Sequence, residues 1–138
     1  MGPRLYVDTS AYLCVLLGES GSAALTRALR GGALLSSVLL LLETRRNLVR
    51  LARQGKLTAA QLQGALDRAT EDLRQFSLRD LTLDLCAAVQ MPAVSTPRSL
   101  DLAHLRTAAW FHAQAPIARF VTLDEPQRIA ARELGLPV

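Results

Sequence analysis

The chain has 138 residues, half of them apolar and only 4% aromatic, and carries a formal net charge of +4. That length suits a single domain, residues 1–138, able to bury a full core without disulfide staples, and the composition excludes a disordered tail. Fifteen Arg and the lone Lys56 stand against twelve acids. This balance favours a polyanionic partner if several acids are drawn into one site, although a coding bias toward Arg, Ala and Leu would leave the same balance.

Met-Gly-Pro-Arg runs directly into a strand-like segment, so no secretory signal is expected. The apolar run Val38 to Leu42 falls far short of the roughly 18 residues of a membrane span. Cys14 and Cys86 lie far apart without a C-x-x-C pattern and read as buried free thiols of a reducing, cytoplasmic compartment.

In chain order, Arg4-Leu5-Tyr6-Val7 is β-prone and stops at Asp8-Thr9-Ser10, a cluster able to cap a helix over Ala11 to Leu17. Ser20 opens a second helical stretch with Ala24, Leu25, Ala28 and Leu29, which Gly31-Gly32 closes. Ala33 to Ser36 reads as a buried strand, with Ser36 or Ser37 capping a longer helix to about Gln54. Thr58-Ala59-Ala60-Gln61 has the capping-box pattern, and Leu62, Leu66, Ala69 and Leu73 follow at helical spacing. Phe76 to Leu78 suggests a brief strand, Thr82 caps a helix through about Val89, and Met91 to Arg98, with Pro92 and Pro97, is a loop. A helix from about Ser99 to Gln114, a strand from Ile117 to Val121 and a helix from about Asp124 to Leu134, ended by Gly135, complete the chain. Strands alternating with helices imply an α/β fold whose central parallel sheet is flanked by helices on both faces.

Ligands of such sheets bind beyond the carboxyl ends of the strands. Asp8 stands at such an end, Asp101 in the first turn of a helix, Asp124 after the last strand, and Glu43 on a helix just past the second strand. Each has a plain explanation. Asp8 and Asp124 suit helix caps, and Asp124 with Gln127 forms a capping-box pattern. Asp101 suits the helix dipole, and Glu43 pairs with Arg46 one turn on. Taken together, the four can meet at one sheet edge. Two carboxylates about 5 Å apart repel by roughly 3 kcal/mol at an effective dielectric near 20, so four would take up protons or hold a cation. An oxygen-only ligand set selects Mg²⁺ or Mn²⁺ over zinc. Arg46, Arg50 and Arg53 continue one helical face and suit a phosphate backbone.

These residues resemble the PIN-domain ribonucleases, and in particular the VapC toxins of toxin–antitoxin pairs. The likeness runs through Leu5 to Ala11, Ser36-Ser37 to Glu43, Ser99-Leu100-Asp101-Leu102-Ala103-His104-Leu105 with Ala108-Ala109, and Val121-Thr122-Leu123-Asp124 followed by Leu134 to Val138. It implies a PIN-like three-layer fold and an Mg²⁺- or Mn²⁺-dependent endoribonuclease. By it, Asp8 and Asp101 would hold the principal metal, with Glu43 and Asp124 binding a second metal or orienting its waters. Glu125 stands beside Asp124 and could supplement or replace it. Thr9, Ser10 and Thr122 would orient a carboxylate or a water. The resemblance further implies a homodimer, an RNA substrate and a small antitoxin partner.

A haloacid-dehalogenase-type phosphatase would want Asp where Ser10 stands, a receiver domain would want a late Lys, and no G-x-x-x-x-G-K-[ST] loop is present. A catalytically silent PIN-like module that binds RNA or protein is the alternative from another class. His104, one turn after Asp101, reads as a packed or surface residue and is left outside the site. Trp110 and Phe111 suit a core or an interface, and Asp67, Glu71 and Asp72 suit a solvated helix face.

Overall fold

The computed structural model describes residues 2–96 and 98–138; Met1, and Pro97 of the expected loop, lie outside the described residues. Four short strands form one parallel sheet: β1 (Arg4–Val7), β2 (Ala33–Ser37), β3 (Ser77–Arg79) and β4 (Arg119–Val121), in the order β3-β2-β1-β4. Register aligns Leu5 with Leu34 and Arg119, and Tyr6 with Leu35 and Phe120. From β1 the chain builds outward to β2 and β3, then returns to the other side of β1 with β4. The direction of winding therefore reverses between β1 and β4, which is where open parallel sheets leave a crevice for ligands.

Alternation along the strands divides the core. Leu5, Val7 and Val121 pack on one face, with α1 (Thr9–Leu17), α2 (Ser22–Leu29), α3 (Leu39–Arg53) and α4 (Ala59–Leu73). Tyr6, Leu35 and Phe120 pack on the other with α6 (Ser99–Gln114) and α7 (Glu125–Glu133). Both faces are covered, as a parallel sheet requires. The Tyr6 and Phe120 rings stack with centroids 5.3 Å apart and planes 5° from parallel, which ties the two strands beside the crevice. Among the described residues no helix is long and apolar enough to cross a membrane.

Local chemistry explains most boundaries. Asp8 caps α1 through Ala11 N–H, and Thr58 and Gln61 form both bonds of the capping box at α4. Gly18 and Gly135 follow α1 and α7 with φ of 64° and 79°, a conformation that costs glycine little. Three expectations need correction. The N-cap of α3 is Val38, with no side-chain cap; the Ser37 hydroxyl accepts from Leu39 N–H, and the Ser36 hydroxyl donates to the Val7 carbonyl across the sheet. The helix expected from Thr82 to Val89 is a single turn, α5 (Leu83–Cys86), because only Leu85 of that turn is buried, too little apolar surface to propagate it. The same turn aims Cys86 outward, so one cysteine is buried and the other exposed.

Candidate functional site

The carboxyl ends of β1, β2 and β4 open onto a cleft of about 460 Å³ lined by Asp8, Glu43, Asp101 and Asp124, with Thr9, Ser10, Arg46, Asn47, Arg98 and His104. All four acids singled out in the sequence thus share one wall-to-wall space. A smaller groove between α3 and α4, about 360 Å³, is lined by Leu41, Leu66, Leu73 and two arginines and contains no acid.

Asp8 is the most enclosed of the four, buried at the end of the central strand. Its Oδ1 accepts from the Ser10 hydroxyl at 2.7 Å and from Ala11 N–H at 3.2 Å, and its Oδ2 accepts from the Thr122 hydroxyl at 2.5 Å. Burial pushes the Asp8 carboxyl above its ordinary range, and the Thr122 and Ser10 hydroxyls and Ala11 N–H pull it partly back. Both hydroxyls also accept from the chain after β4: Ser10 from Leu123 N–H at 3.0 Å, Thr122 from Asp124 N–H at 3.1 Å. The two sides of the crevice are thereby laced through Asp8.

Glu43 lies four residues into α3, which Leu40 and Leu48, both fully buried, anchor to the core. Its Oε1 accepts from the Thr9 hydroxyl at 2.8 Å and faces His104 Nε2 at 2.7 Å. Burial opposes ionisation of Glu43, but the hydrogen bond and charge of His104 and the Thr9 hydroxyl outweigh it and hold the carboxyl below its usual value.

Asp101 keeps its place in the first turn of α6 through its backbone: the Gln127 amide donates to the Asp101 carbonyl at 2.9 Å. The Asp124–Gln127 box is consequently only half formed, since Asp124 accepts from Gln127 N–H at 3.2 Å while the Gln127 side chain serves α6 instead. Asp101 Oδ2 is buried and receives no hydrogen bond. Burial raises the Asp101 carboxyl, the Arg98 guanidinium counteracts it, and the charges of Asp124 and Glu43 raise it further. Arg98 Nε stands 3.5 Å from that Oδ2, with the side chain 74% exposed, and Arg98 lines the same cleft.

Glu125 is exposed and paired with Arg128 at 3.1 Å, outside the cleft lining. Of the basic stripe, Arg46 lines the cleft, Arg50 donates to Asn47 at 2.8 Å, and Arg53 is exposed at the end of α3. His104 is the residue that reasoning on sequence missed. It is buried, with Nδ1 against the Tyr6 hydroxyl at 2.7 Å and Nε2 against Glu43. The signal was its position one turn after Asp101, together with a phenol in mid-strand that needs a partner.

The residues fit a hard divalent cation in kind: Asp101 has a buried carboxylate oxygen that takes no hydrogen bond, and the charges of Asp124 and Glu43 raise its proton affinity, so the site favours added positive charge. Among the described residues, however, no three His, Cys, Asp or Glu side chains form a ready-made ligand group. Asp8, Glu43 and Asp124 each have oxygens held on hydroxyls or caps, whereas Asp101 Oδ2 takes no hydrogen bond. No family model matches the sequence, and no curated protein does either.

Proposed function

We propose that the chain is a PIN-like metal-dependent endoribonuclease, with Asp8, Glu43, Asp101 and Asp124 as its acidic centre and Mg²⁺ or Mn²⁺ as its cofactor. The observation that carries this reading is the meeting of all four acids around one cleft at the sheet's switch point, with Asp101 Oδ2 buried and undonated. Asp8 and Asp101 would hold the principal cation, with Glu43 and Asp124 binding a second one or orienting its waters. When bound, the cation would lower the pKa of a water and stabilise charge on the phosphoryl group. Ser10 and Thr122 orient Asp8, and Thr9 orients Glu43. Arg46 and Arg98 at the cleft wall supply the positive rim for a phosphate backbone. The toxin role, the antitoxin and the homodimer follow from the family resemblance.

The deciding experiment is thermal unfolding with and without millimolar Mn²⁺, beside an RNA cleavage assay. Mn²⁺ at about 100 times its dissociation constant stabilises the folded chain by about 2.7 kcal/mol, a rise of roughly 5–10 °C for a domain of this size. Cleavage that survives a chelator, together with an unmoved unfolding temperature, rejects the proposal. No cleavage with or without Mn²⁺, again with an unmoved unfolding temperature, would favour the silent module, in which Asp8 and Asp124 serve only as the caps they also are.

The arginines give a separate expectation. Arg46→Ala raises KM for RNA with little change in kcat, and lowers the slope of log affinity against log salt by about 0.7, the share of one single-strand phosphate contact. An unchanged salt slope would remove Arg46 from the RNA path.

A further inference from the structure

His104, on α6, meets β1, α1 and α3 at the cleft through Tyr6, Thr9 and Glu43. It is 2% exposed, yet both ring nitrogens are engaged. On the inner side the Tyr6 hydroxyl, itself fully buried, lies 2.7 Å from Nδ1. On the cleft side Nε2 lies 2.7 Å from Glu43 Oε1 and 3.3 Å from the Thr9 hydroxyl, which itself donates to the same Oε1. The proton inventory gives this chain a direction. The neighbouring hydroxyls of Ser36 and Thr107 donate to the carbonyls of Val7 and Ala103. Neither offers its proton to the phenol, whose own proton can go to Nδ1 at 2.7 Å or to one of these two hydroxyl oxygens. A phenol that donates to Nδ1 places the ring proton on Nε2, where it points at Glu43. Two donors then converge on Oε1, and among the described residues no side chain donates to Oε2.

A histidine buried only for packing would not need its nitrogens in series between a phenol and a carboxylate. An aliphatic side chain would fill the same volume without the cost of desolvating two polar atoms. We propose that His104 is a positioning residue: with its tautomer set by Tyr6, its Nε2–H fixes Glu43 by one oxygen and leaves the other presented to the cleft. The activity arm of this inference rests on the nuclease proposal; the tautomer does not. Orientation of a ligand carboxylate by a hydrogen-bonded outer residue commonly supports metal affinity or activity by about 10–100-fold.

The test compares two amide replacements of different reach. His104→Asn keeps a partner for the Tyr6 hydroxyl but is too short to meet Glu43, whereas His104→Gln carries its amide N–H to the position of Nε2. Mn²⁺ binding followed by electron paramagnetic resonance should be weakened about 10–100-fold in His104→Asn and largely restored in His104→Gln. RNA cleavage should show the same order in kcat, with KM for RNA unchanged. Equal Mn²⁺ affinity in both variants and the native chain overturns the proposal. Independently, long-range ¹H–¹⁵N spectra of the metal-free native chain should show His104 protonated on Nε2 and bare on Nδ1; a proton on Nδ1 overturns it. If the native chain binds no Mn²⁺, the nuclease proposal fails by itself, and the spectrum alone decides whether His104 holds Glu43.

Discussion

Asp8→Asn and Asp101→Asn should each leave the chain folded and reduce RNA cleavage by roughly 10³-fold, the scale expected when several kcal/mol of cation-borne stabilisation is lost. Folding survives in Asp8→Asn because the remaining oxygen can still accept from Ala11 N–H as the cap of α1. The Thr122 hydroxyl, which now donates to Oδ2, can turn to accept from the new amide. Asp101→Asn leaves the carbonyl held by Gln127 untouched. Cleavage by both variants at the native rate would take these acids out of the chemistry and with them the proposed function.

The two acids on α6 and α3 separate further in their effect on stability, measured by thermal unfolding in a chelator. Asp101 has its folded-state pKa raised, chiefly by burial. Between its unfolded value near 3.8 and the higher folded value, the folded chain binds more protons than the unfolded one. The stability it contributes is full below that window and is lost as pH rises through the folded pKa. Asparagine has no proton to lose, so Asp101→Asn should match the native chain near pH 3.5 and unfold at a higher temperature by pH 7. Glu43 has its folded pKa lowered despite burial, by His104 and Thr9, so its stabilisation is present above about 4.5 and lost on acidification. Glu43→Gln should therefore lower the unfolding temperature at pH 7. Shifts of the same sign in both variants would show that the cleft's electrostatics are misassigned.

The strand-to-helix rhythm was legible because hydrophobic runs and turn residues act locally: Thr58 and Gln61 announce their helix with no help from the rest of the chain. Where tertiary contacts decide, the sequence was a poorer guide. Thr82 begins a helix as expected, but its length depends on how much apolar surface its neighbours cover, and only one turn forms. The same holds in the cleft. That Asp8, Glu43, Asp101 and Asp124 can converge follows from their places at the ends of parallel strands, whereas the way each carboxylate is held depends on partners up to 114 residues distant, as in the Thr122–Asp8 bond. Gln127 shows the limit well, since a residue suited to a local cap is spent instead on Asp101 of another helix. His104 shows the converse: a lone histidine has a dull explanation until the strand beneath it is known to present a phenol.

Thr122→Val tests whether the lacing between β1 and β4 matters to the site or only to the fold. The substitution keeps the branched shape of a side chain that is 2% exposed, so packing changes little. It removes the hydroxyl that donates to Asp8 Oδ2 and accepts from Asp124 N–H, leaving both without that partner. Each abandoned buried group costs about 1–3 kcal/mol, less whatever water recovers at the cleft, so a net loss of about 2 kcal/mol is expected. Asp8 loses the strongest of the contacts that favour its ionised form, which makes its carboxylate harder to present to a cation at neutral pH. Cleavage should accordingly fall by about 100-fold and Mn²⁺ affinity with it, while Thr122→Ser restores both. A Val variant that unfolds earlier yet binds Mn²⁺ and cuts RNA as the native chain does would confine Thr122 to holding two strands together. Asp8 would then have to keep its orientation through Ser10 and the cap of α1 alone.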